Sequence, residues 1–410
     1  MTPDDVTTPG GATRTRRDAR ARRDSARSVL EEQWREPGFT CPNSTTYPWL
    51  WLWDSCFHSI VWAELGDTER AVSELTTALS GQYADGFVPH LLYLDGCRDF
   101  DGFWGAEGTS SITQPPIYGH TVAELRRRGV HLERDVIDRA VAGIWFLLER
   151  RRRSAGGLVE LVHPWESGCD HSPRWDDLMV NRSDGGVDGA VVVVDPYDEA
   201  VWFERKGTLL DTVHRSATGS PLWNDAFAVG SVMFSAVLAF CAAELAAALD
   251  DSALRREVDQ LSDALARRWE PGRRTWIDDG PTVTGSGRIR TVEALLPLLV
   301  ERDETIIDEV VDELVDPGAF GGGFGPAQVH RDEATYRRGS YWRGPSWPQL
   351  DYLLWVALRR AGRGDAARTV AASSGEGAWI SGWAEYWDPD DAAPGGAAPQ
   401  SWSTLPICML

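Results

Sequence analysis

The sequence predicts an all-α fold, a closed double ring of helices whose long loops gather at one end, with an irregular helical bundle as the alternative. Three observations predict it: apolar residues recur at three-and-four spacing from end to end, strand-like alternation is nearly absent, and helical stretches alternate with short and long connections. The periodic stretches lie at 61–65, 72–79, 122–125, 136–148, 227–249, 254–269, 292–300, 306–314 and 350–358. Asp67-Thr68-Glu69 supplies an acidic helix start, and Ser346-Trp-Pro-Gln349 has the form of a capping box with proline in the first turn. The β-branched run 191–194 is a strand candidate. Connections at 37–54, 81–118, 155–187, 315–345 and 375–405 are rich in Gly, Pro, Asp and aromatics; loops so long and so full of Trp and Tyr are expected to be functional. With no linker in view, the expectation is a disordered tail over 1–12 and one domain over 13–410.

Composition narrows the function. A net charge of −21 and a pI near 4.8 repel phosphate backbones and anionic lipid. The dense basic run, Arg14 to Arg27, alternates with Ala, Ser and Asp and reads as a solvated first helix, with a functional arm as the alternative. No run of eighteen apolar residues and no apolar leader is present, so the expectation is a cytoplasmic protein with neither nucleic-acid nor membrane partners. Six scattered cysteines without C-x-x-C spacing read as reduced thiols. Eight histidines without H-E-x-x-H or zinc spacing predict no metal, and no cofactor is expected.

Tryptophan is the outlier, present twenty times and placed beside charge: Trp49, Trp51 and Trp53 by Asp54, Trp165 and Trp175 around Asp170, Trp342 and Trp347 beside Arg343, Trp379, Trp383 and Trp387 around Glu385. Aromatic planes fill cores, and they also stack on the C–H faces of sugar rings. Hydrolysing a glycoside with inversion takes a protonated carboxyl on the leaving oxygen and an ionised one to activate water on the opposite ring face. Asp170, in Trp165-Glu-Ser-Gly-Cys-Asp170-His-Ser-Pro-Arg174-Trp175-Asp176, is either such an acid or a helix cap. Gly168 lets the backbone bend there, and an apolar wall of Trp165 and Trp175 is expected to raise the carboxyl's pKa. Glu385, in Ile380-Ser-Gly-Trp-Ala-Glu385-Tyr-Trp387-Asp388-Pro389, is either the base or a holder of sugar hydroxyls, and Asp388 before proline looks like a turn.

Read together, these segments make the chain resemble glycoside hydrolase family 63, in particular its compact bacterial mannosylglycerate and glucosylglycerate hydrolase branch, with trehalases more distant. The resemblance is carried over about residues 45–405 by Trp51-Leu-Trp-Asp54-Ser-Cys-Phe-His58, Gly86-Phe-Val-Pro-His90, Ser110-Ser-Ile-Thr-Gln114-Pro-Pro116, Glu166 to Asp176, Tyr341-Trp-Arg-Gly-Pro-Ser-Trp347, Glu385-Tyr-Trp-Asp-Pro389 and Ser401-Trp-Ser403.

The resemblance implies an (α/α)6 barrel, a six-hairpin toroid, and an inverting mechanism with Asp170 as general acid and Glu385 as general base. It also implies that Trp53 and Asp54 bind sugar hydroxyls, and that Gln114, Arg174, Tyr341, Trp342 and Trp347 line the same pocket. Trp53 and Trp347 are alternatively core residues; Arg343 either touches the ligand or pairs internally. Three departures bear on specificity. Phe227-Ala-Val-Gly230-Ser-Val-Met-Phe234-Ser235-Ala lacks the Asp and Asn usual in that helix, Asp351 stands for the usual Asn, and Cys169 and His171 flank the acid. The expected substrate is a small α-glucoside or α-mannoside such as glucosylglycerate or mannosylglycerate, with Arg98, Arg174, Arg331 and Arg343 as candidate cations for the leaving group. The alternatives are an α-glucosidase for a neutral disaccharide, oligosaccharide or glycosylated natural product, and an inactive sugar-binding protein.

Overall fold

The computed structural model describes residues 9–179 and 199–409; the strand candidate at 191–194 lies outside them. Thirteen α-helices are present among the described residues: α1 (Pro9–Gln33), α2 (Leu52–Glu64), α3 (Thr68–Ser80), α4 (Asp101–Trp104), α5 (Tyr118–Arg127), α6 (Arg134–Trp145), α7 (Asp176–Met179), α8 (Glu199–Leu210), α9 (Val232–Leu249), α10 (Ser252–Ala266), α11 (Glu304–Val315), α12 (Pro348–Arg360) and α13 (Gly364–Ile380). α1 starts at Pro9, so the end of the stretch expected as a tail is helical. Strands are short and form six two-stranded antiparallel pairs among the described residues.

Burial sorts the helices into two layers. α9 is buried without a gap from Val232 to Ala242, as a helix walled in on all sides must be. By length and composition it could cross a membrane, but here it fills the core. α10 buries only Leu254, Val258, Leu261, Ala264 and Leu265, one stripe at helical spacing, which marks an outer helix. The inner elements touch in a cycle: α2 on α5, α5 on α9, α9 on the 3-10 segment Val292–Leu299, that segment on α12, α12 on the 3-10 segment Ser401–Cys408, and this last on α2. An outer helix backs each one: α3 on α2, α6 on α5, α10 on α9, α11 on Val292–Leu299, α13 on α12 and α1 on Ser401–Cys408.

Local chemistry explains where the elements depart from expectation. The stretch expected over 292–300 winds as a 3-10 helix, Val292–Leu299, with Pro297 inside; proline has no N–H to continue an α-helical ladder, and Pro406 sits in the same way in Ser401–Cys408. Asp67 caps α3 as expected, accepting from Arg70 N at 3.1 Å. The capping box at 346–349 does not form. α12 begins at Pro348, Ser346 Oγ donates to Asp351 Oδ2 at 3.0 Å, and neither polar atom of the Gln349 amide has a protein partner. α13 continues to Ile380 through residues expected to be loop. One hydrophobic cluster runs from Ala26 to Met409. At ~1.5–3 kcal/mol per buried aliphatic or aromatic side chain it outweighs the surface Arg–carboxylate pairs, worth ~0–1 kcal/mol each. All six cysteines are free thiols.

Candidate active site

The inner elements present their N-terminal ends to one set of loops, and the site is built there. Trp53 and Asp54 lie in the first turn of α2, Gln114 precedes α5, Glu293 opens Val292–Leu299, Trp347 precedes α12 and Ser401 opens the last segment. Asp170 stands in a turn after the 3-10 helix Pro164–Ser167, and Glu385 in the bend after α13.

Two buried clamps hold the Asp170 loop. Arg151 reaches Glu166 through both terminal nitrogens at 2.6 and 2.9 Å, and Glu166 in turn accepts from Val162 N and Thr113 N, tying the loop to the strip that carries Gln114. Arg174 donates to Asp278 Oδ2 at 2.8 Å and to Ile289 O at 2.7 Å, while Asp278 Oδ1 caps Val232 N at the start of α9. Arg174 is therefore a clamp and not a pocket wall, because the loop around Asp278 brings a buried carboxylate to its fork. Gly168 has φ +71°, and a Cβ there would overlap the ring of Trp53. Gly168→Ala is expected to cost ~1–3 kcal/mol through overpacking, read as a lower unfolding midpoint, and to raise KM by displacing Trp53; an unchanged midpoint would show that the ring has room to move.

The carboxyls differ from the sequence expectation. Asp170 Oδ2 accepts from Lys206 Nζ at 2.7 Å, Oδ1 accepts from Trp342 Nε1 at 2.9 Å, and His171 Nε2 is 3.9 Å away. Burial raises the Asp170 pKa, but the charges of Lys206 and His171 and the two hydrogen bonds outweigh it and bring it to about 2. The apolar wall expected there is thus overridden by a cation. Trp175 points inward and donates to Cys169 O at 2.8 Å. Glu385 is pushed up to about 7 by burial, against hydrogen bonds from Ala397 N (2.9 Å) and Tyr47 Oη (3.3 Å), and the charge of Asp170 raises it further. Tyr47 and Tyr341 each feel both carboxylates. The two acids therefore lie in electrostatic reach of each other and of the same two phenols, and these groups make up one candidate site.

Its walls are aromatic. Trp342 and Trp347 stack with centroids 3.7 Å apart and planes 1° from parallel, and Tyr341 meets Trp347 edge-on. Trp53 packs edge-on against Trp402, whose Nε1 donates to Glu385 O. Asp54 is 2% exposed with Oδ1 unpartnered; burial pushes its carboxyl well up, and the charge of Glu385 adds to this. An unmet acceptor on a buried carboxyl is what a sugar hydroxyl would satisfy. Gln114 Oε1 accepts from Trp53 N at 3.3 Å. Arg343 pairs internally with Asp176 through both terminal nitrogens, at 2.8 and 2.6 Å. Arg331 pairs with Asp390, so three of the four candidate arginines spend their charge on internal carboxylates, while Arg98 is exposed and lies 3.9 Å from Asp101. Trp383 donates to Ser25, Trp387 to Phe324 O, and Trp379 is half exposed on α13, so none of the three is a partner of the Glu385 carboxylate. Asp388 does make a turn, accepting from Asp390 N. Sequence reasoning missed Tyr47, Trp402 and Lys206; Lys206 carried a signal, being the one lysine in the chain.

The departures have structural substitutes. Ser231 caps α9 by accepting from Phe234 N, and Ser235 Oγ accepts from Val159 N at 3.0 Å. Burial raises Asp351 to about 7 against the hydrogen bond from Ser346, so near neutrality much of it is an uncharged acid, close to the usual amide in polarity. A cleft of about 510 Å³ lined by Tyr83, Leu92, Leu94, Glu107 and Thr109 holds neither carboxyl; the paired acids, not the size of this opening, mark the site.

A family model, the mannosylglycerate hydrolase MGH1-like glycoside hydrolase domain, matches residues 47–403. The glucosylglycerate hydrolase of Mycolicibacterium hassiacum is 29% identical, over 88% of this chain and 91% of that protein. The crystal structure of a family 63 mannosylglycerate hydrolase from Thermus thermophilus, in complex with Tris and D-glycerate, superposes with a TM-score of 0.81 at 26% identity, covering 95% of this chain and 99% of that one. Neutral trehalase from Saccharomyces cerevisiae, at 13% identity and a TM-score of 0.52 over 91% of this chain and 73% of that one, shares the fold alone.

Proposed function

The chain belongs to the mannosylglycerate hydrolase MGH1-like glycoside hydrolase family, and from that premise we propose that it hydrolyses a small α-glucoside or α-mannoside of glycerate with inversion. Asp170 is the general acid, Glu385 the general base, and the helices form an (α/α)6 barrel with this site at its mouth. The cycle of six inner elements, each backed by one outer helix, supports the barrel. The observation that carries the chemistry is the pair of acids in mutual electrostatic reach, with Tyr47 bonded to one and feeling the other. In the reaction Asp170 protonates the glycosidic oxygen as its bond to C1 breaks, and Glu385 takes a proton from the water that attacks C1 from the opposite face. Trp53, Asp54, Gln114, Tyr341, Trp342 and Trp347 hold the sugar; Asp54 accepts from its hydroxyls and the indoles cover its C–H face.

A second reading, a bulkier neutral aglycone, is favoured by one feature: Phe203, 60% exposed, stacks on Phe103 beside Trp165 at the edge of the site. A panel of α-glucosides and α-mannosides with glycerate, glycerol and sugar leaving groups decides between them. Fastest turnover of a glycerate glycoside is expected; fastest turnover of a disaccharide would favour the second reading, and no hydrolysis of any would overturn both.

The pH profile follows from the two carboxyls. Turnover needs one proton on the pair, so kcat/KM, which reports the free enzyme, is expected to fall as pH rises through about 7, where Glu385 gives up the last proton. A profile flat from pH 6 to 9 would contradict this assignment.

A further inference from the structure

Of the 41 basic residues in the chain, forty are arginine and one, Lys206, is lysine. Wherever else the fold holds a cation it uses a planar, fixed guanidinium; here alone it uses a compact ammonium with rotatable donors on a flexible stem. The Lys206 side chain on α8 is 2% exposed, 2.7 Å from Asp170 Oδ2, and lies over the rings of Trp165 (5.3 Å) and Trp202 (5.6 Å). It is a buried cation placed against the carboxyl that has to deliver a proton.

In that state the order of acidity is the wrong one for catalysis. Asp170 sits at about 2 and Glu385 at about 7. Of the forms carrying a single proton, most hold it on Glu385, because Asp170 faces an ammonium while Glu385 is buried and faces the charge of Asp170. For Asp170 to act as an acid, its cation has to be drawn elsewhere. Among the described residues the groups facing the pair include His171 and Cys169 on its own loop, His163 bonded to the Lys206 carbonyl, Arg343 and Tyr341 from the loop before α12, and Glu385 and Tyr47 opposite. The permanent cation among them, Arg343, is clamped by Asp176 through both terminal nitrogens.

We propose that Lys206 is the receptor for an anionic leaving group: the carboxylate of a glycerate-like aglycone takes the ammonium from Asp170, and Asp170 takes up a proton in exchange. This rests on the glycosidase reading above. The balance is simple. The Lys206–Asp170 ion pair becomes a Lys206–carboxylate ion pair and a neutral Asp170; the proton is the one Glu385 carries below pH 7, and comes from solvent above it. That proton passes to the glycosidic oxygen when its bond to C1 breaks, and Glu385 collects another from the attacking water. A neutral aglycone offers nothing to exchange and leaves the acid ionised, so the site selects for charge by arming its own acid.

Two measurements test this. Titration calorimetry with D-glycerate at pH 8, in two buffers of different ionisation enthalpy, is expected to show uptake of roughly half a proton or more per site in the native chain and none in Asp170→Asn. Binding of glycerate without proton uptake would overturn the proposal with no variant needed. The ratio of kcat/KM for α-glucosylglycerate over α-glucosylglycerol is expected to be at least ~100, and to shrink by at least ~10-fold in Lys206→Met, from the loss of one charged contact. A ratio near one in the native chain, or a ratio unchanged in Lys206→Met, would also overturn it, with the glycosidase reading intact. Failure to cleave any α-glucoside or α-mannoside would instead bring down that reading.

Discussion

Asp170→Asn is expected to lower kcat/KM on alkyl and glyceryl α-glycosides by ~10³-fold or more, while costing far less on α-glucosyl fluoride. The two substrates differ in what leaves. An alkoxide needs a proton in the transition state, and general acid catalysis supplies ~10²–10⁴-fold of rate; fluoride departs with little help. The amide keeps an acceptor for the Trp342 indole, which now donates to Oδ1, and most of the packing around the loop is untouched. It does remove the Asp170 charge from beside the Lys206 ammonium, 2% exposed, so some stability is expected to be lost as well. Equal losses on both substrates, measured by steady-state kinetics, would mean that Asp170 positions the sugar instead of protonating the leaving group.

Glu385→Gln is expected to lower turnover by ~10³-fold or more on both kinds of substrate, because activating the water is required whatever leaves. The same substitution is expected to stabilise the fold above neutral pH. Burial raises the folded-state pKa of Glu385 to about 7 from an ordinary value of 4.5. A raised pKa means the contribution to stability is whole below 4.5 and is lost as pH climbs through 7, on the order of 3 kcal/mol by pH 8. A neutral amide carries no such loss. Thermal unfolding from pH 5 to 8 should therefore show a shallower decline for the variant than for the native chain, whose Asp351 and Glu74 lose stability in the same direction in both proteins. A variant both inactive and equally pH-sensitive would place Glu385 outside the buried site. The strain of holding an ionised carboxylate here is the stability given up for function.

The helices were legible because their signals are local, whereas the two acids were only singled out by the aromatics around them and were paired through the family resemblance. Apolar spacing marks α2, α3, α9, α10 and α12, and Asp67 before Thr68 marks where α3 begins. α13 runs on through Gly375 and Gly377, which look like a break in the sequence. Gly377 is a packing requirement, since a Cβ there would overlap the Trp387 indole. Ser346 to Gln349 satisfied a local rule that a tertiary partner, Asp351, overrode. Partner choice was the layer the sequence hid. Arg174 sits beside the acid in the chain but spends its fork on Asp278, and Arg343 does so on Asp176. The cation that does meet Asp170 comes from α8, far along the chain. Gly396, at φ +71°, lets the backbone pass over the Glu385 carboxylate so that Ala397 N can donate to it, a contact no pattern announces.

Stereochemistry tests the paired-acid assignment most directly. Proton NMR of the first sugar released from an α-linked substrate, recorded before mutarotation, is expected to show the β-anomer, as a water activated by Glu385 on the face opposite Asp170 requires. The α-anomer appearing first would mean retention, and with it a covalent intermediate that this pair of roles does not allow.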